Sequence, residues 1–278
     1  MQNHPHQPWG HHQQYQQQYP QHGQQYGYGN QPQQAWGWGA GVTQQRAETG
    51  ADRLAFLKKV YGLFAASVLL SAVGAMIALY AGAETSSVMY EGVRIPPLVA
   101  LVGGSPIISL VVMLGVVFGA SAVRKVRGLN VVALFGMAFI LGILFAPSLF
   151  VATLNAATGT TISASPIRDA FLLATLMFGG LTGYVALSKK DFSYLGSFLF
   201  MGLMVIIGAS ILNIFLGSSA LGLAIASVGL ILFAGYVLYD TSRILKAEDR
   251  DAVGGAMQLY LDFLNIFLYL LRILGSRR

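Results

Sequence analysis

The sequence predicts an all-α fold, a polytopic membrane protein built as a seven-transmembrane-helix bundle. Three observations predict it. Of 278 residues, 55% are hydrophobic and only 10% charged, with a mean hydropathy of +0.59, a balance foreign to soluble domains of this length. From Leu54 onward the chain is a series of apolar stretches, each about the ~20 residues needed to cross ~30 Å of hydrocarbon as a helix. Lys and Arg gather at the ends of those stretches rather than inside them.

The first segment is a different kind of polymer. Residues 1–53 are rich in Gln, Gly, Tyr and His and carry no Asp, Glu, Lys or Arg before Arg46. Such a composition cannot bury a core and predicts disorder. No basic stretch is followed by an apolar core, so it does not read as a secretory signal peptide. All five histidines of the chain (His4, His6, His11, His12, His22) and all three tryptophans (Trp9, Trp36, Trp38) fall here. A solvated low-complexity extension is the plain reading, and a metal-binding or self-associating tail the sharper one.

Residues 54–278 form the membrane domain, with spans at about 58–82, 97–122, 129–153, 167–187, 193–216, 219–245 and 254–274. Short connections such as GGSPIIS and GSSALG punctuate them, and small residues recur within them, as close helix packing in lipid requires. Basic residues set the orientation. Lys58 and Lys59 precede span 1. Arg124, Lys125 and Arg127 follow span 2, Lys189 and Lys190 follow span 4, and Arg243, Lys246 and Arg250 lie at the turn between spans 6 and 7. All fall on one side, while the opposite loops carry only Arg94 and Arg168. The N-terminus is therefore expected in the cytoplasm. Seven crossings place the terminal GSRR on the other side, against the rule, so the last span is either re-entrant or a full crossing with a tolerated basic tail.

Two acids interrupt the last apolar spans: Asp240 in GYVLYDTSRIL and Asp262 in YLDFLNIFLYLL. A charge at lipid depth costs at least ~2.5 kcal/mol, and intramembrane ionisable residues are functional candidates by default. The midpoint between the two is Asp251, in the polar linker KAEDRDAVGG, so an antiparallel hairpin brings them to similar depth. In the last span Gln258, Asp262, Asn265, Tyr269 and Arg272 recur at helical spacing, a polar stripe that must face the bundle interior. Tyr236, Asp240 and Arg243 share a face of the preceding span. Two carboxyl groups a few ångströms apart cannot both ionise cheaply and tend to share a proton. That makes the pair a protonation switch. Arg124, at the apolar edge of the RKVR cluster, is the expected latch on Asp240, and Arg243, one turn away, could satisfy the same acid locally.

Several chemistries are closed. The chain has no cysteine, and the membrane domain has no histidine and no mid-span lysine, which argues against haem ligation, a zinc or Ser-His protease and a retinal Schiff base. No nucleophile-base constellation is visible, so no enzyme and no resident cofactor are expected. The formal charge of +6 is accounted for by the basic helix ends, so nucleic acid is not an expected partner. Asp, Asn and backbone carbonyls suit a hard cation. Protons and calcium are the expected clients, with Asp240 and Asp262 as transient calcium ligands.

YDTSRI, followed about twenty residues later by LYLDFLNIFLYLLRILG, resembles the C-terminal signature of the Bax inhibitor-like (transmembrane BAX inhibitor motif) family, in its bacterial branch. The resemblance runs from about Leu54 to Arg278 and takes in the RKVRG turn, the SKKDFS turn and the LNIF segment of span 5; the Gln-rich tail lies outside it. It implies a seven-helix fold, a multi-pass location in the bacterial cytoplasmic membrane and a pH-sensitive calcium leak. In the family pattern two acids form a proton-sharing pair that controls the pore; they match Asp240 and Asp262, and the latching arginine most nearly matches Arg124. Relatives commonly carry an uncharged polar residue at Arg243, so a second cation here biases the pair toward ionisation. Two alternatives stay open: a non-conducting protein that binds partner membrane proteins, and a proton-coupled cation exchanger.

Overall fold

The computed structural model describes residues 50–90, 92–159, 161–246 and 251–276. Of the segment 1–53 expected to be disordered, residues 1–49 lie outside the described residues, as do Arg250 and the terminal Arg277 and Arg278, whereas residues 50–53 are helical. The elements are α1 (Gly50–Tyr80), β1 (Met89–Tyr90), β2 (Val93–Arg94), α2 (Pro97–Gly103), α3 (Pro106–Val123), α4 (Leu129–Ala157), α5 (Pro166–Ser188), α6 (Gly196–Leu216), α7 (Ser219–Lys246) and α8 (Ala252–Leu274). β1 and β2 make a two-residue antiparallel ladder in the α1–α2 connection. All the long helices, seven among the described residues, are long and apolar enough to cross a membrane. The fold is the expected all-α bundle.

Two boundaries differ from expectation. The second span is two helices, broken where Ser105 takes up φ −137°, ψ 72° ahead of Pro106. Proline lacks the N–H that would continue the helix and disfavours helical geometry in the residue before it. α3 alone, at 18 residues, is about 27 Å long. α1 begins at Gly50 rather than near 58. No breaker precedes Lys58, Asp52 complements the positive end of the helix dipole, and Arg53 donates to the backbone carbonyl of Leu245 at the end of α7, anchoring the extra turns.

Close helix contacts use small residues. α1 and α4 pack along one another, and at their crossing Gly74 lies against the Phe139 backbone and Gly142 against that of Ser71. In the RKVRG turn, Gly128 caps α4 at φ +81°, a left-handed conformation that only glycine adopts without strain.

α8 is the centre of the helical bundle, packed by α1, α4, α5 and α7. It is the least apolar of the seven long helices and the most buried. Leu259, Tyr260 and Ile266 are fully enclosed, and Phe263 meets Phe64, Phe171 and Phe178 edge to face. It runs unbroken for 23 residues, about 35 Å, which is the length of a full crossing.

Candidate functional site

α8 starts at Asp251, whose Oδ1 accepts the Gly254 N–H at 2.8 Å as an N-cap. Capping satisfies one of the donors a helix start leaves free. About three turns further on, Asp262 points at α7, and Asp240 of α7 points back. The two side chains are 3% and 5% exposed, and their carboxyl groups lie within hydrogen-bonding reach of each other. Asp262 Oδ2 is buried without a hydrogen-bond partner. A buried acid left half-satisfied is costly and calls for an explanation.

The surroundings are uneven in charge. Tyr236, one turn from Asp240, feels both carboxyl groups. Arg243 is the cation whose field acts on Asp240, but no ion pair within 4 Å joins them among the described residues. Its guanidinium instead lies 5.4 Å from the centre of the Tyr239 ring, with a long 3.5 Å contact to that hydroxyl. Thr241, wholly buried, faces Tyr61 of α1.

Arg124 is not on Asp240. Its Nε lies 3.8 Å from Oδ2 of Asp251, so it clasps the first turn of α8 to the end of α3. The physical reason is desolvation: Arg124 is 38% exposed at the bundle's edge, whereas Asp240 lies inside α7. A guanidinium loses less hydration by pairing with an acid at the rim than with one in the interior.

The expected polar stripe divides. Gln258 is half-buried one turn before Asp262. Asn265 is satisfied within its own helix, donating to Leu261 O at 2.7 Å, and bonds no acid among the described residues. Tyr269 packs its ring on Gly229 of α7, and the Arg272 guanidinium rests on Gly222. These contacts fix the α7–α8 register that makes the acids meet. Phe233 sits between Tyr236 and Tyr269, with ring centres at 5.4 and 5.9 Å.

The sequence reading missed a staple at the basic end. Asp191, in the α5–α6 connection, pairs with Lys246 at the end of α7, accepts the Ser193 N–H at 2.9 Å and meets the Ser242 hydroxyl at 3.4 Å. The hydrogen bond from Lys246 and then those from Ser193 hold its carboxyl far below the usual range. The buried Ser242 also accepts the Phe192 N–H at 3.1 Å. The run of Asp, Thr and Ser inside an apolar helix was the available signal. For metal binding, the pair offers two carboxylates, and no cluster of three or more acid or histidine ligands occurs among the described residues. Calcium takes six to eight oxygens in a stable site, more than two carboxyl groups supply.

Helices of spanning length around a buried, mutually facing acid pair define a multi-pass α-helical membrane protein with an ionisable centre. The model of the family described as "Inhibitor of apoptosis-promoting Bax1" matches residues 53–278, and the chain belongs to this Bax inhibitor-like family. It is 39% identical to an uncharacterised protein of Campylobacter jejuni over 80% of this chain and 88% of that protein. It is 34% identical to mouse protein lifeguard 4 over 81% and 86%, and 32% identical to the Golgi anti-apoptotic protein of vaccinia virus strain Lister over 80% and 85%.

Proposed function

We propose that this protein is a pH-sensitive calcium leak channel of the bacterial cytoplasmic membrane, with its N-terminus in the cytoplasm and the Asp240/Asp262 pair as its gate. The observation that carries the reading is the meeting of two carboxyl groups, 5% and 3% exposed, across the α7–α8 interface. With one shared proton the pair binds the helices together; with none, two like charges at low dielectric drive them apart. Protons and calcium compete for the same oxygens, which suit a hard cation.

Arg124 acts in this scheme as a clasp, holding the start of α8 through Asp251, while Arg243 biases the pair through its field. The orientation rests on the basic loops, which gather at one end of the bundle. The test is calcium release from liposomes containing the purified protein, followed against pH. A protein-dependent, pH-dependent leak is expected. No leak at any pH favours the second reading, a non-conducting regulator of partner membrane proteins. Saturable countertransport points to an exchanger.

A further inference from the structure

At the end of the bundle opposite the α7–α8 turn, a cavity of about 900 Å³ lies over α8 between α4 and α7. It exists because α4 and α7 both pack on α8 but make no substantial contact with each other. Its size is near the top of the ~300–1,000 Å³ typical of sites for drug-sized molecules.

The cavity's chemistry is graded along the helices. Asn155 at the end of α4, Ser219 at the start of α7, and Arg272 and Ser276 at the end of α8 line its outer part. Phe145, Leu223 and Leu268, each further into its helix, line the deeper part. A polar rim at the helix ends above an apolar floor matches an amphiphile oriented as lipids are in one leaflet. The rim's charge is also specific. Arg272 forms no ion pair among the described residues, its guanidinium is seated on Gly222, and it borders a second cavity of about 290 Å³ toward Asn213 of α6.

We infer that the groove between α4 and α7 is a binding site for an anionic phospholipid, with its phosphate on Arg272 and one acyl chain running over Leu268 toward Phe145. Guanidinium pairs phosphate with charge-assisted, bidentate hydrogen bonds, and Ser219 brings a neutral hydroxyl to the rim, where Asn155 and Ser276 already donate to the carbonyls of Gly275 and Ile273. The site is independent of whether the protein conducts ions.

The test is native mass spectrometry of the full chain in detergent, titrated with phosphatidylglycerol. One lipid should be retained per protein. Arg272→Gln should weaken retention roughly tenfold and Arg272→Lys less, while Leu268→Trp, which fills the floor, should abolish it. Melting of each variant without lipid reports folding separately. Equal retention by wild type and Arg272→Gln overturns the site, as does equal retention of phosphatidylcholine. Competition by glycerol phosphate as effective as by the lipid would show an anion pocket and also overturn it.

Discussion

Asp240 on α7 and Asp262 on α8 hold their carboxyl groups against each other inside the bundle, and Oδ2 of Asp262 has no hydrogen-bond partner there. Residues in such contact do not act independently. Asp240→Asn, Asp262→Asn and the double variant, compared by thermal or denaturant unfolding, should show a coupling energy of about 0.5–3 kcal/mol. Additive effects would mean that the two groups do not interact.

The contact of Arg124 with Asp251 makes a second prediction, because Asp251 does two jobs. It caps α8 through the Gly254 N–H and faces Arg124 at 3.8 Å. Asp251→Ala should cost about 0.5–2 kcal/mol through the cap alone. Arg124→Gln should cost less than about 1 kcal/mol, since a partly exposed pair is worth little. Unfolding of the two variants side by side checks the order.

The crossing of α1 and α4 is tight enough to read out with a single methyl group. A Cβ at Gly142 would run into the Ser71 carbonyl, so Gly142→Ala should destabilise by about 1–3 kcal/mol. Gly136 in the same helix has nothing within 4 Å of a Cβ. Gly136→Ala should be neutral or stabilising by up to about 1 kcal/mol through helix propensity. Melting temperatures of the pair separate crowding from propensity.

Asp191 carries a pH dependence with a defined sign. Its carboxyl is held far below the usual range by Lys246 and Ser193. A group with a depressed folded-state pKa contributes stability above its unfolded value, ~3.9, and loses it as pH falls through the folded value. Asp191→Asn should therefore melt lower than the wild type at neutral pH, and the gap should close progressively below about pH 4. Melting curves at stepped acidic pH check this.

Much of the site was legible because an antiparallel hairpin has simple arithmetic. Asp240 and Asp262 are equidistant from Asp251, and helical spacing placed Tyr269 and Arg272 on the same face as Asp262; both predict the observed α7–α8 interface. Arg124 shows where such reasoning stops. Basic clusters indicate the end of the bundle at which a residue lies, not which neighbouring helix it meets, and Asp251, 16% exposed at the helix end, was available at lower desolvation cost than the more deeply buried Asp240. The break before Pro106 was marked by the Gly, Ser and Pro of GGSPIIS but overridden by length, since residues 97–122 are apolar enough to cross as one helix although Ser105 leaves helical geometry. Asp191 was hidden by its setting, for an acid in a short basic loop carries no periodicity.

The most direct test of the central claim is the pH profile of calcium flux through liposomes containing Asp262→Asn beside the wild type. If the Asp240/Asp262 pair is the gate, the wild-type leak varies with pH and the variant's leak is flat across the same range. A variant that leaks with the wild-type pH profile would contradict it.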